Sequence, residues 1–487
     1  MSTAIVIGSG FSSLSAASHL AKQGYKVQLF EKNSTVGGRC RQLIKNGYTF
    51  DIGPSWYWMP DIFDKYFADF GKKTSDYYEL DRLNPGYKIY FQNQQELTIG
   101  DSVEKIAEEF ERIEKGSGAK LRKLLKKSAK NYDIAINKIV LRPGLSPFEL
   151  VTTETAVRVG QFFKSIQQIV RKDFKNPMLV AALEFPVLFL GAKPSQTPSF
   201  YSFMNYADYG LGTWHPRGGM YEIIKAMKAL AEELGVEIHT DAAVTKINVD
   251  TNAKATGVEI NGSQNYTAEH IISGADYAHS ETLLDSKYRQ YSEAYWEKKV
   301  FAPSSLLFYV GFKTKIKGVE HHNLFFDTDF DVHSKAIYDT KEWPEDPLFY
   351  VNFPSVTDPS MAPENCETGF FLIPIAPGIE DTEELRNHYF ELILKRLEKR
   401  VDQELQSQID FVESFCVKDF IEQYNSYKGN AYGLANTLSQ TAFLRPKLIS
   451  KKVDNLYFTG QLTVPGPGVP PSLISGKLVA ELIRKKN

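Results

Sequence analysis

The chain opens with a short β-branched apolar run, Thr3-Ala4-Ile5-Val6-Ile7, which stops abruptly at Gly8-Ser9-Gly10-Phe11-Ser12-Ser13 before an alanine-rich amphipathic stretch reaching Gly24. The order is strand, tight turn, helix. A second strand, residues 26–30, ends in Glu31, about twenty residues beyond the glycines, where a carboxylate can accept the ribose hydroxyls of an adenosine. This βαβ unit predicts a Rossmann-like α/β domain. Gly8 permits the turn, and Gly10 lets backbone approach a pyrophosphate. The helix that follows presents unpaired N–H groups and a positive dipole end to that anion. Ser13 stands where glycine or alanine is usual; it is still small enough for close packing of helix on strand.

At 487 residues the chain is too long for one compact core, so two or three domains are expected. Lys and Arg total 57 against 59 Asp and Glu, which leaves no global field to hold a nucleic acid. Cys40, Cys366 and Cys416 are scattered and odd in number, which argues against a disulfide framework or a thiolate metal site and fits a reducing cytoplasm. No signal peptide is read at the N-terminus. The longest apolar stretch, 177–192, carries Glu184 at its centre and Pro186 just after, so a transmembrane helix is rejected. No repeat or low-complexity tract is present, and the whole chain is expected to fold.

Gly37-Gly38-Arg39 follows Glu31 closely, and Phe50-Asp51-Ile52-Gly53-Pro54 comes after a further short strand. These segments resemble the extended flavin motif of the amine-oxidase and carotenoid-desaturase superfamily. The resemblance implies that Glu-x(5)-Gly-Gly-Arg wraps the pyrophosphate of FAD and that Asp-x-Gly-Pro lies near the isoalloxazine. Gly8, Gly10, Phe11, Ser12, Glu31, Lys32, Gly38, Arg39, Gly53 and Pro54 are therefore expected cofactor residues. An arginine beside a pyrophosphate has a direct electrostatic reason.

Two later segments resemble the remaining parts of the same cofactor site, which makes the flavin domain discontinuous. Gly212-Thr213-Trp214-His215-Pro216-Arg217-Gly218-Gly219-Met220 precedes a helix to Leu234 and strands near 236–239 and 243–249. The resemblance makes Val244 a backbone contact of the adenine, and Ile271-Ile272-Ser273-Gly274-Ala275-Asp276 the strand that returns to the cofactor, with Asp276 among its ligands. The C-terminal run from Asn455 through Gly460 to Ser472 resembles the bacterial desaturase signature. It implies a proline-bounded loop under the flavin pyrimidine, with a helix N-terminus near N1 and C2=O where reduced flavin gathers charge. Gly460, Gly468, Val469, Pro470 and Ser472 are carried over; Pro467 and Pro471 occupy places where the family often has small residues.

The expected division is a flavin domain of residues 1–90, 212–300 and 450–487, with an inserted α+β substrate domain of 91–211 and 301–449. Within the latter, 101–175 is expected to be a helical, membrane-facing part. The inserts lack paired-carboxylate, H-E-x-x-H, P-loop or nucleophile-elbow patterns, so the chemistry must come from the cofactor. Family resemblance continues through 321–326, 357–363 and 432–446 and so covers nearly the full length. Adjacent His321 and His322 point in different directions from a strand or helix, and no metal site is assigned to them. The apolar stretch 178–190 is either core or the lining of a long tunnel. Lys120, Lys123, Lys126, Lys127 and Lys130 intersperse with Leu121, Leu124 and Leu125 at helical spacing; with 155–174 they are the candidate surface for an anionic bilayer.

The resemblance implies an FAD-dependent phytoene desaturase type of oxidoreductase, peripheral on the cytoplasmic side of a membrane. Its substrate would be phytoene, slightly preferred, or a later carotenoid such as a hydroxylated or monocyclic one desaturated at its 3,4 position. Hydride would pass from a carotene carbon to flavin N5, with oxygen or a quinone reoxidising the flavin. No residue stands out as a proton acceptor, and the catalytic acid or base is unassigned. A flavin-dependent carotenoid isomerase, an amine oxidase sharing the flavin domain, and a flavin-binding protein without turnover are the alternatives.

Overall fold

A computed structural model of the chain describes residues 2–150 and 159–486. The strand Thr3–Ile7 lies at the centre of a five-stranded sheet in the order Leu456–Phe458, His270–Ser273, Thr3–Ile7, Lys26–Phe30, Glu237–His239. Every neighbouring pair is parallel. Central parallel strands are buried on both faces, which is why Ala4-Ile5-Val6-Ile7 is apolar throughout rather than alternating. The helix Phe11–Lys22 covers one face and packs along the C-terminal helix Val469–Lys486, with Ser15 Oγ donating to the Leu473 carbonyl at 2.7 Å. Ser13 is fully buried beside Gly274, whose missing side chain makes room for its hydroxyl. An antiparallel three-stranded sheet, Val244–Val249, Ala255–Ile260 and Gln264–Thr267, extends this unit.

A seven-stranded sheet forms the second layer, in the order Ile409–Phe415, Ser304–Phe312, Glu367–Ile375, Phe349–Asn352, His322–Phe325, Tyr87–Tyr90, Glu96–Ile99. All pairs are antiparallel except His322–Phe325 with Tyr87–Tyr90. Tyr87–Tyr90, placed by the sequence reading with the flavin domain, thus pairs into the sheet built from the inserted segments. One face of this sheet is covered by the helix Glu383–Val401 through a core of Phe308, Phe371, Ile393 and Leu397.

The inserted helices bear on two expectations. In Ser117–Ile134, Leu121 and Leu125 are buried inside the protein while Lys123, Lys126, Lys127 and Lys130 face solvent. The apolar face of this helix packs on the core, and its lysines face outward. Of the neighbouring candidate stretch, 155–158 lies outside the described residues. Within 178–190, Met178, Leu179, Ala182 and Leu183 are core, and only Phe185 among the described side chains reaches the large cavity described below. Glu184, buried in that stretch, is held by Arg171 through bonds of 2.9 and 3.0 Å. Among the described residues no helix is long and apolar enough to cross a membrane.

Asp51 ends the strand Tyr48–Asp51. Its carboxylate accepts from the backbone N–H groups of Met220 (2.6 Å) and Tyr221 (3.0 Å), capping the helix Tyr221–Glu233. Burial outweighs those bonds and pushes its pKa up from 3.8 to about 6. A carboxyl whose folded pKa is raised contributes stability that is complete below the unfolded pKa and is lost as pH rises through the folded one. Compared with Asp51→Asn, the wild-type chain is therefore expected to lose up to about 3 kcal/mol between roughly pH 4 and pH 6. Parallel denaturant titrations across that range, showing no pH-dependent difference between the two, would refute this.

Candidate flavin and substrate cavity

The parallel strands all end on one edge of their sheet, and the loops leaving them enclose one cavity of about 1270 Å³. Ligands of open α/β sheets bind outside the carboxyl ends of the strands in this way. Every residue expected to hold the cofactor lines this cavity: Gly8, Gly10, Phe11 and Ser12; Glu31 and Lys32; Gly38 and Arg39; Gly53 and Pro54; Val244; Asp276; Gly460, Gly468, Val469, Pro470 and Ser472. Asp51 is the exception in its motif, because its carboxylate turns to the Tyr221–Glu233 helix.

Gly8 turns the chain at φ +88°, a conformation that penalises any side chain, and its N–H donates to the Phe30 carbonyl at 2.8 Å. Gly10 begins the helix with no side-chain cap, and a Cβ there would meet nothing within 4 Å, so open space lies over the helix N-terminus. The Leu14 N–H is the first to bond back, to Gly10. The N–H groups of the first turn are thus available to an anion. Gly53 is required for another reason: a Cβ on it would lie 2.1 Å from the Arg39 carbonyl oxygen. The two flavin motifs pack backbone to backbone at this point.

Glu31 is buried and fully engaged. Oε2 accepts from Ser9 N (3.0 Å) and Ser9 Oγ (2.6 Å), while Oε1 accepts from Asn33 N and Nδ2, both at 2.9 Å. With about four acceptor sites on a carboxylate, a ribose hydroxyl would take the place of the Asn33 amide. Ser9 and Asn33 were not singled out from the sequence; their signal is position, flanking the glycines and Glu31. Lys32 reaches out instead, donating to the Glu422 carbonyl at 2.6 Å. Arg39 is held by Ser426 Oγ (3.0 Å) and by the Tyr424 ring, 5.2 Å from its guanidinium carbon. Its Nε is buried with no hydrogen-bond partner among the described residues. Desolvation lowers its pKa, and the nearby Asp276 raises it. Asp276 caps the short helix Tyr277–Thr282, accepting from Ala278 N at 3.0 Å, and burial raises its own pKa. An unsatisfied buried guanidinium donor beside an uncapped helix start fits the pyrophosphate of FAD.

Away from this cradle the cavity becomes apolar. Leu307, Leu324, Tyr350 and Leu372 of the seven-stranded sheet face Ile136, Phe185, Phe200 and Met204 of the inserted helices. Ser55, next to Pro54, meets the Tyr350 hydroxyl at 3.0 Å, and Tyr350 meets His322 Nδ1 at 2.6 Å. Trp56 stacks on the His322 ring at 4.0 Å. Burial pushes the pKa values of His321 and His322 well down, so both rings are neutral. The sequence named no acid or base; Ser55, Tyr350 and His322 form a hydrogen-bonded chain at the cavity wall. Their separation in sequence, 55, 322 and 350, concealed it. Among the described residues no three metal-ligating side chains come together.

Residues 11–484 match the family model for flavin containing amine oxidoreductase. The chain is similar to a carotenoid 3,4-desaturase of Haloarcula japonica, 40% identical over 98% of this chain and 97% of the relative. It is similar to a zeta-carotene-forming phytoene desaturase of Myxococcus xanthus, 31% identical over 98% and 93% of the two chains. A 4,4'-diapophytoene desaturase of Staphylococcus aureus is 32% identical, with 98% of each chain covered. Solved structures share the fold. An oxidoreductase from Methanosarcina mazei superposes with a TM-score of 0.64 at 17% identity over 98% of this chain and 100% of that one. Putrescine oxidase bound to putrescine gives 0.59 at 14% identity, covering 99% of each.

A charge-assisted hydrogen bond contributes about 1.5–3 kcal/mol. Arg39→Met is accordingly expected to weaken FAD binding by roughly 10- to 150-fold, and Asn33→Ala by much less, in a fluorescence titration of the apoprotein. Equal affinities for Arg39→Met and the wild type would remove Arg39 from the cradle. From the strand–glycine turn–helix cradle, the apolar extension of its cavity and relatives matched end to end, the chain belongs to the flavin containing amine oxidoreductase family, and it is an FAD-dependent carotenoid desaturase of carotenoid biosynthesis.

Proposed function

We propose that the chain desaturates a late acyclic carotenoid at its 3,4 position. The observation that carries this reading is the 40% identity to a carotenoid 3,4-desaturase, against 31–32% for the phytoene and diapophytoene desaturases, at equal coverage of this chain. The cavity adds support. Its volume of about 1270 Å³ exceeds the range of roughly 300–1,000 Å³ usual for small-molecule pockets. Its apolar part also carries the hydroxyl-bearing Ser305, Tyr338 and Tyr432. A pure hydrocarbon has no use for such groups, whereas an oxygenated carotenoid does. Phytoene, slightly preferred from sequence, is the second reading, favoured by the more distant relatives.

Bound FAD supplies the hydride acceptor, and a quinone or oxygen removes the electrons afterwards. The chain's own part is to hold the polyene extended in a dry cavity and to handle the proton lost from the adjacent carbon. Tyr350, which lines the cavity and is hydrogen-bonded to Ser55 and to His322 Nδ1, is the chain's candidate for positioning that proton as it leaves.

Delivery of so insoluble a substrate calls for a bilayer surface, and the exposed apolar side chains support a peripheral attachment to one. Phe148 and Phe163 are each 80% exposed, with Leu141, Leu145 and Leu444 exposed as well. They flank residues that line the cavity, namely Val140, Gly144, Phe162 and Phe443. Lys447 ties the two flanks together by donating to the carbonyls of Gly144 (2.8 Å) and Phe443 (2.6 Å). This surface replaces the lysine-rich helix as the docking candidate.

Purified FAD-loaded protein, given liposomes containing either phytoene or a hydroxylated acyclic carotene with a quinone acceptor, is expected to red-shift the hydroxylated carotene and leave phytoene unchanged. Conversion of phytoene alone would establish the second reading, and conversion of neither would exclude both. In the same assay Tyr350→Phe is expected to lower turnover at least about tenfold. For docking, Phe148→Ser combined with Phe163→Ser is expected to reduce sedimentation with anionic liposomes by about tenfold or more. Lys123→Gln with Lys126→Gln should leave it within about twofold. The reverse pattern would return docking to the lysine helix.

A further inference from the structure

Arg445 is 2% exposed, and all its hydrogen bonds go to uncharged oxygens. Nε donates to the Thr463 carbonyl at 2.8 Å; Nη1 donates to Asn436 Oδ1 at 2.6 Å and the Gln440 carbonyl at 3.2 Å; Nη2 donates to the carbonyls of Gln461 at 2.8 Å and Leu434 at 3.1 Å. A guanidinium has five N–H donors, so its hydrogen bonding is complete. Its charge is not: among the described residues it forms no ion pair. Desolvation draws its pKa down to about 10, which leaves it protonated at neutral pH. Burying a charge without an opposite one is among the costlier things a fold can do. Hydrogen bonding alone does not explain it, because neutral donors can satisfy carbonyls.

The position of the guanidinium suggests where the compensation lies. It sits behind the loop 460–468, whose other side forms the cavity wall at Gly460, Gln461, Leu462, Val464, Pro465, Pro467 and Gly468. A Cβ on Gly466 would lie 3.6 Å from the Arg445 guanidinium carbon. Asn436, which accepts from Arg445 Nη1, itself lines the cavity. One side chain and one layer of backbone therefore separate the charge from the cofactor space. This is the loop that leads into the helix Val469–Lys486.

We infer that Arg445 is a positioning residue for the cofactor's charge: through Asn436 and the 460–468 loop, its buried guanidinium favours the reduced, anionic form of FAD over the neutral oxidised form. Hydride addition at N5 places an electron pair, and so a negative charge, over N1 and C2=O of the pyrimidine. With that ring seated against the 460–468 loop, as the family resemblance implies, no proton would need to follow, because a fixed positive charge would lie behind it. A buried cation whose counter-charge arrives only on reduction draws the hydride transfer forward. The inference rests on the FAD reading and adds to it a residue that sets how readily the flavin is reduced.

The test is an anaerobic redox equilibrium between the FAD-loaded full-length protein and a reference dye, followed by absorbance. Arg445→Gln is expected to move that equilibrium about tenfold or more toward oxidised flavin, while Arg445→Lys stays within about threefold of wild type. The affinity for oxidised FAD should change little in either variant. Equal shifts in both variants, or none in Arg445→Gln, would overturn the proposal, since a merely structural arginine is not rescued by charge. A second readout needs no variant that might misfold. From about pH 5 to about pH 6, where free reduced flavin is neutral and takes up two protons per two electrons, the wild-type equilibrium should take up only one; uptake of two protons would mean that no anion is stabilised, and would overturn it as well. Failure of the protein to bind FAD at all would fall on the flavin reading itself, and is seen before any reduction.

Discussion

In the parallel sheet, Ile7 is paired with Phe30 and with Ser273, Ser273 with Phe458, and Phe30 with His239. That register brings the strand ends of four remote segments to one edge. Gly8, Glu31, Gly274 and Gly460 then follow within a residue or two, so each motif is delivered to the same cavity by a sheet whose central strands are buried on both faces. Slipping one strand by a residue would move its apolar side chains out of register with two packed layers at once. The cradle is precise because the sheet beneath it has no alternative.

Charge is handled sparingly inside this frame. Arg39, Asp276, Glu31 and Arg445 are buried around the cavity, and each is fixed by backbone or neutral side-chain groups. Arg39 and Asp276 feel one another, and each leaves part of its electrostatic demand open. Beyond Pro54 the wall changes character: His321 and His322 are neutral, Trp56 stacks on His322, and leucines and phenylalanines take over. A single cavity thus has a charged end suited to a dinucleotide and an apolar end suited to a polyene, with Ser55 and Tyr350 at the junction.

Much of the cradle was legible in the sequence because its motifs are local. Turn glycines, a strand-ending Glu31 and the Gly-Gly-Arg run carry their geometry within a few residues. Asp51 reads as part of the same motif, yet its carboxylate caps the helix Tyr221–Glu233, because which way a residue in a strand-end turn points is decided by the element packed over it. The lysine-rich helix is ambiguous for a similar reason. Helical periodicity reports that Leu121 and Leu125 share a face, and not whether that face meets protein or lipid. Phe148 and Phe163 lie within the segment 101–175 expected to face a membrane, but single exposed aromatics carry no periodic signal that would have picked them out as residues.

The amino-acid sequence by itself determined the βαβ start, the cofactor class, the discontinuous return of the chain to the flavin, and the absence of nucleophile motifs that leaves chemistry to the cofactor. The βαβ start follows from short-range rules of turn and period; the flavin and the discontinuous return are what the resemblance of 31–39, 50–54, 212–220 and 455–472 to a known family implies. Only the tertiary structure decided that Ser55, Tyr350 and His322 form one hydrogen-bonded chain, that residues 178–190 are mostly core, and that Arg445 stands behind the flavin loop without a carboxylate. Each of these depends on residues far apart in the chain meeting across packed layers. Burial, which sets both protonation and the need for a counter-charge, exists only once those layers have closed.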